Sequence, residues 1–309
     1  MIYIIIIIIL VAVLGWSAQL WGYRDKHTEP LRVNLDQVFD ARCLPILLEH
    51  DPPAKKAIIM AHGYPSTPYA FSYAAQRAYE AGYDVFVPLL PGFGTKPEDL
   101  YNTTFTQWYN FLTSFYREKR SQYDYLSVLG TSMGGAMTLR IGEDFSGTPE
   151  TPDALVTIAA PVFLNDLRLG AIQNWGYYLM RIIALFTPAL KPNIHTGDDE
   201  VNDGNELWIG YSGGFVRGGV SLMHALKDIR KNLDRITVPL LSLHDEGDKT
   251  ISFKNLALIQ SKVVNAHPFV GRPTAMQGTH RKHLLLMYYS VQEKLTDEIL
   301  EFLEEQRRS

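Results

Sequence analysis

The chain has 309 residues, 46% hydrophobic and 20% charged, a composition that can fill a core and argues against disorder. A net charge of -4 speaks against nucleic acid as the main partner. The single cysteine, Cys43, excludes an intrachain disulfide and leaves no cysteine pair for a metal. The length suits one α/β domain with an insertion better than two independent domains.

Ile2 to Leu14 is an unbroken apolar run, and Gly15 to Tyr23 extends it with Ser17 and Gln19 as its only polar residues. That is long enough for a hydrocarbon core of ~30 Å. Trp16, Trp21 and Tyr23 suit an interfacial belt, and the cations Arg24 and Lys26 follow. A cleaved signal peptide would want a basic start and a small-x-small cleavage site, and neither is clear. The expectation is a single-pass, uncleaved anchor over residues 1–23, embedded in membrane lipid, with the body of the chain on the cytoplasmic side.

Residues 24–37 read as a polar linker, and Val38 to Leu48 as early strand material with a turn at Pro45. Asp51-Pro52-Pro53 then breaks the chain before Ala57-Ile58-Ile59-Met60-Ala61, a continuous apolar run typical of a central parallel strand. His62-Gly63-Tyr64-Pro65-Ser66 follows. A His-Gly here shapes a loop whose next amide, that of Tyr64, completes an oxyanion hole. The His62 side chain itself reads as a structural group at a strand end.

An amphipathic helix over Pro68 to Ala81, a strand over Asp84 to Leu90 and a helix over Thr106 to Tyr116 lead to the stretch around which the chain is organised. Tyr125 to Leu129 is a buried strand, and the helix formers Met133, Ala136, Met137 and Leu139 open a helix just past Ser132. Strand, tight turn and helix meet at Gly130-Thr131-Ser132-Met133-Gly134, a nucleophile-elbow pattern. The flanking glycines let strand and helix approach without a side-chain clash. The turn lifts the Ser132 hydroxyl clear of the sheet and aims the Met133 amide at an attacked carbonyl oxygen.

Ala154 to Ala160 is a further strand, which closes a first core segment over residues 38–161. Alternating strands and helices imply a parallel sheet covered on both faces, with ligands at the carboxyl ends of its strands. The alternation stops over residues 162–233. This insertion holds an aromatic helix from Trp175 to Phe186, the acidic Gly197-Asp198-Asp199-Glu200 and a glycine-rich patch from Gly210 to Gly219. It is placed to act as a cap over the serine, and its apolarity favours a greasy substrate.

The core resumes over residues 234–309. Pro239 to His244 is a late strand followed by Asp245-Glu246-Gly247-Asp248, where the acid of a Ser…Asp…His order belongs. Asp248 is preferred to Asp245, because it lies further from the strand and Gly247 frees the backbone to present it. Two histidines remain for the base. His283 precedes the apolar Leu284-Leu285-Leu286-Met287, which can anchor it, whereas His280 sits between Thr279 and Arg281 and is held in reserve. A metal on this pair would lack a third ligand, and none is expected.

In this order the motifs resemble the α/β-hydrolase family, in its carboxylesterase and monoacylglycerol-lipase-like branch. The likeness runs from about Lys55 to the C-terminus. It rests on His62-Gly63-Tyr64, Pro91-Gly92-Phe93-Gly94 with Trp108, Gly130 to Gly135, Leu233 to Pro239 and Gly247-Asp248. It implies an eight-stranded, mostly parallel sheet, a cap after the sixth strand, and ester hydrolysis without cofactor. The sequence therefore predicts a serine hydrolase of apolar acyl esters, with Ser132, Asp248 and His283 in catalysis and the Tyr64 and Met133 amides at the oxyanion. A thioesterase or amidase with the same machinery, and a non-catalytic binding protein on this scaffold, are the alternatives. Oligomeric state is not legible.

Overall fold

A computed structural model of the chain describes residues 2–164, 168–169, 172–173, 175–197 and 202–308. Its main sheet is built from the apolar runs. The strands are β1 (Ile46–Leu48), β2 (Lys56–Ala61), β3 (Asp84–Val87), β4 (Tyr125–Thr131) and β5 (Ala154–Ile158). After the insertion, which includes a minimal hairpin of β6 (Arg168–Leu169) and β7 (Ile172–Gln173) and a longer one of β8 (Leu190–Thr196) and β9 (Ile209–Gly214), come β10 (Leu240–Asp245) and β11 (Phe269–Thr274). The order in the main sheet is β1-β3-β2-β4-β5-β10-β11. Only β1 pairs antiparallel, and β4 lies at the centre between β2 and β5.

Each face of the sheet carries helices, as a parallel sheet buried on both sides requires. On one face α2 (Ser72–Glu80) and α8 (Tyr289–Arg308) pack Ala74, Ala75, Leu295, Ile299 and Leu303 against Ile58, Val85 and Val156. On the other face lie α3 (Phe105–Arg120), α4 (Met133–Phe145) and α6 (Val216–Asn232), with α7 (Lys254–Lys262) beside β10 and β11. This is an α/β-hydrolase architecture.

The sheet has seven strands among the described residues, one fewer than expected. The early segment yields one three-residue strand, because Asp40 caps a 3₁₀ turn over Ala41–Cys43 and Pro45 has no amide to donate.

The expected membrane anchor is corrected. α1 (Ile2–Ser17) is apolar and largely exposed, but its sixteen residues rise about 24 Å, less than the ~30 Å of a hydrocarbon core. No helix among the described residues is long and apolar enough to cross a membrane. The residues needed to complete a span turn away instead. Gln19 takes a positive φ of 53°, and the Trp21 ring folds back onto Gly15, where a Cβ would lie 2.4 Å from it. Arg181 in α5 (Trp175–Phe186) then ties down the carbonyls of Ala18 and Gly22 at 3.1 and 3.3 Å. The expected linker is likewise fastened to α3. Thr106 Oγ1 donates to Asp25 at 2.6 Å, Thr104 Oγ1 to the His27 carbonyl at 2.6 Å and Gln107 Nε2 to the Glu29 carbonyl at 3.1 Å.

The insertion combines α5, α6 and the β8–β9 hairpin, whose strands the glycine-rich sequence did not announce. Asp198, Asp199 and Glu200 of the acidic loop lie outside the described residues.

Candidate active site

Ser132 sits between β4 and α4 with φ 56° and ψ -120°, a backbone conformation that a side chain adopts only under local constraint. The constraint is glycine packing. A Cβ on Gly134 would lie 1.9 Å from the Ala61 carbonyl oxygen, and one on Gly130 would lie 2.1 Å from that of Gly134. Gly63 meets the elbow from the neighbouring loop, where a Cβ would stand 3.0 Å from Ser132 Cβ. The Ser132 amide donates to the Ile158 carbonyl at 2.8 Å, which stitches the turn to β5.

The loop after β2 brings the second amide. Tyr64 N follows the end of β2 and Met133 N opens α4, the position where a helix leaves its amides without internal partners. Tyr64 is held by its side chain. Its hydroxyl donates to the Phe215 carbonyl at 3.1 Å, and its ring packs against Phe93, Trp108 and Phe215. Burial pushes its phenol pKa well up. His62 is fully buried and structural. Its Nε2 accepts from the Leu90 amide at 3.1 Å and its Nδ1 faces the Gly63 carbonyl at 3.1 Å, so the ring is neutral with its proton on Nδ1. Burial lowers its pKa to about 4.

The two acids past β10 have different surroundings. Asp245 is a brace. It accepts from Gly247 N at 2.9 Å, Thr274 Oγ1 at 2.9 Å and Met276 N at 2.7 Å, joining the ends of β10 and β11. Asp248 Oδ1 accepts from the Thr250 and Ile251 amides at 2.7 and 2.9 Å, while its Oδ2 stands 2.7 Å from His283 Nδ1. Burial alone would raise the Asp248 pKa, but the hydrogen bonds from His244 and His283 hold it below the usual carboxylate range. Its carboxylate is ionised at neutral pH.

His283 is anchored as its neighbours suggest: Leu284, Leu285, Leu286 and Met287 are all buried. Its loop is also tied to the acid's loop, with Lys249 N donating to the Arg281 carbonyl at 2.9 Å. His280 faces elsewhere. Its Nε2 lies 3.0 Å from Asp203 Oδ2, off the hydrogen-bonding direction, and its ring meets Tyr288 edge-on. Ser132 and His283 open onto one cavity of about 330 Å³, together with Gly63 and Tyr64, whereas His280 is not among its lining residues.

The pattern of the serine aminopeptidase S33 hydrolases matches residues 52–265. The chain belongs to this family of α/β hydrolases. A thermostable monoacylglycerol lipase from Bacillus sp. strain H-257 is 33% identical over 216 residues, which cover 67% of this chain and 79% of that protein. Among solved structures, a metagenome-derived lipolytic enzyme superposes with a TM-score of 0.67 at 20% identity, covering 86% of this chain and 98% of its own. A monoglyceride lipase from Saccharomyces cerevisiae gives 0.64 at 14% identity, covering 92% and 97%. At such identities the superpositions establish the fold.

Sequence reasoning about this hydrolase missed two parts of the site. One is His244, whose Nε2 lies 3.2 Å from Asp248 Oδ2 and 3.2 Å from the Ile251 carbonyl. Two acceptors on one nitrogen place the His244 proton on Nε2. Its position four residues before Asp248 was the available signal. The other is the cavity wall formed by Trp208 and Tyr211 of the insertion. Tyr211 N donates to the Pro65 carbonyl at 3.1 Å, Thr67 Oγ1 to the Ile209 carbonyl at 3.1 Å and Trp208 Nε1 to Ser66 Oγ at 2.9 Å. These bonds fix the β9 strand to the loop carrying Tyr64. Gly210 marked this contact, since a Cβ there would lie 2.4 Å from the Pro65 carbonyl oxygen.

Proposed function

We propose that this hydrolase cleaves carboxylic esters of the monoacylglycerol class through an acyl-enzyme on Ser132. The observation that carries the reading is the 2.7 Å contact of His283 Nδ1 with a buried, ionised Asp248, in a histidine that shares its cavity with Ser132. With the Nδ1 proton held by Asp248, Nε2 is the basic nitrogen left to serve Ser132. Ser132 Oγ attacks the acyl carbonyl as its proton passes to His283, and the same proton leaves with the alcohol. Water then attacks the acyl-enzyme by the reverse relay and releases the acid.

The amides of Tyr64 and Met133 take the developing oxyanion, and the loss of one such donor costs about 2.7–4 kcal/mol in a serine protease. Trp208, Tyr211 and Leu284 give the acyl chain an apolar wall, while Ser212 and Thr250 offer hydroxyls to the alcohol. The cavity volume falls within the range of small-molecule sites, roughly 300–1,000 Å³. The monoacylglycerol lipase at 33% identity supports the substrate class.

The test is turnover of monoacylglycerols and of p-nitrophenyl esters from acetate to palmitate, beside an acyl thioester and an aminoacyl arylamide. Ester turnover that disappears in Ser132→Ala is expected. Faster turnover of the thioester or the arylamide than of any ester would overturn the substrate class.

A further inference from the structure

A second cavity, of about 110 Å³, lies at the root of α1, between Ser17 to His27 and the helices α5 and α6. Its wall carries Lys26, Arg181 and Arg217, and no aspartate or glutamate. Arg181 is only 4% exposed, yet its partners are carbonyls and rings rather than a carboxylate. It donates to Ala18 O and Gly22 O, and its guanidinium stands 5.4 Å over the Tyr23 ring and 5.1 Å over that of Tyr177. Those bonds use two of the five N–H donors of an arginine. Arg217 donates to the Ala184 carbonyl and to Asn102 Oδ1, both uncharged groups.

The nearby acids are committed elsewhere. Asp25 accepts from Tyr23 and Thr106, and Glu29 pairs with His27. Burying a cation without a counter-charge is unfavourable, and a bound anion would remove that penalty. The rest of the wall is mixed, with the uncharged polar groups of Ser17, Gln19, Asn102 and Thr104, the His27 ring, and an apolar part from Ala18, Ala184, Leu185 and Val220. Beyond it, α1 presents isoleucine, leucine and valine side chains to solvent.

We propose that this cavity binds the anionic head of a single-chain amphiphile, a fatty carboxylate or an alkyl phosphate. Lys26, Arg181 and Arg217 hold the head, and the apolar part of the wall takes the first carbons of the chain. A fatty carboxylate is also what the proposed ester hydrolysis releases, but this cavity is separate from that of Ser132 and the inference does not rest on that reading.

Equilibrium dialysis of the full chain against laurate, dodecyl phosphate, dodecanol and inorganic phosphate tests it, below the critical micelle concentration of each amphiphile. At least one anionic amphiphile binds ~10-fold or more tightly than both dodecanol and inorganic phosphate, as expected for charge-assisted hydrogen bonds joined to apolar contact. Whichever of laurate and dodecyl phosphate binds better identifies the head group. Arg217→Gln and Lys26→Gln each weaken that binding about threefold or more, with folding checked by thermal melting. Arg181→Met abolishes it; should that variant not fold, the other two decide. Binding that neither Arg217→Gln nor Lys26→Gln alters would place the amphiphile outside this cavity and overturn the proposal. Equal binding of dodecanol, or of inorganic phosphate, would also overturn it.

Discussion

At the carboxyl edge of the sheet the two buried aspartates are saturated, Asp248 by two amides and two imidazoles and Asp245 by two amides and a hydroxyl. At the root of α1 the reverse holds, and Arg181 and Arg217 face a cavity with no carboxylate on its wall. Both regions bury charge, but only the first fills the hydrogen-bonding capacity of its charged groups from its own chain. A saturated site holds its geometry before any substrate arrives, as catalysis through preorganised groups demands. An unsaturated one draws its partner from outside.

Substitutions at the saturated edge separate chemistry from architecture. The largest effect is expected at Ser132. Ser132→Ala lowers kcat by something on the order of 10⁴–10⁶ while the thermal melt stays near that of the parent. Asp248→Asn comes next, with a loss on the order of 10⁴ in kcat, because an amide favours the wrong tautomer of His283. Asp245→Asn acts mainly on stability. It weakens the brace between β10 and β11 by about 1–3 kcal/mol in denaturant titrations and changes kcat less than tenfold. Equal kinetic losses in the two variants would erase the distinction between reacting acid and brace.

Gly134→Ala tests the packing under the elbow. With the added Cβ 1.9 Å from a backbone oxygen, the strand-to-helix approach must open, and a loss of ~3 kcal/mol or more in stability is expected.

The smallest effect concerns Glu143 in α4, a buried acid whose Oε1 has no hydrogen-bond partner among the described residues. Burial pushes its pKa up to about 9, with Arg140 offsetting only part of the rise. The folded state therefore binds this proton more tightly than the unfolded chain. Stability falls as pH climbs from the ordinary carboxylate range towards 9. Glu143→Gln flattens that decline and stabilises the protein at pH 8 by ~1 kcal/mol or more, with little change at pH 4. An unchanged pH profile of Tm in the variant would show that Glu143 finds a charge partner in solution.

The contrast also explains what the sequence disclosed. The elbow was legible because its determinants are local: a β-rich run, three glycines and helix formers within a dozen residues. The contact between Asp248 and His283 was legible from chain order and from the apolar run that anchors the histidine. His244 was not, since its one local signal, a place four residues before Asp248, does not say that a strand-end imidazole turns towards that acid. The β8–β9 hairpin escaped because its glycines serve contacts with Pro65 and Leu190 that only the folded chain creates. α1 misled for a related reason. Apolar length was counted through Tyr23, but tertiary bonds from Arg181 end the helical path at Ser17.

The central claim is that Ser132 is activated by His283 under the hold of Asp248. Reaction with a fluorophosphonate, followed by peptide mass mapping, tests it most directly. The account predicts one adduct, on Ser132, whose rate of formation collapses in His283→Ala and persists in His280→Ala. An adduct on another residue, or undiminished labelling of Ser132 in folded His283→Ala, would contradict it.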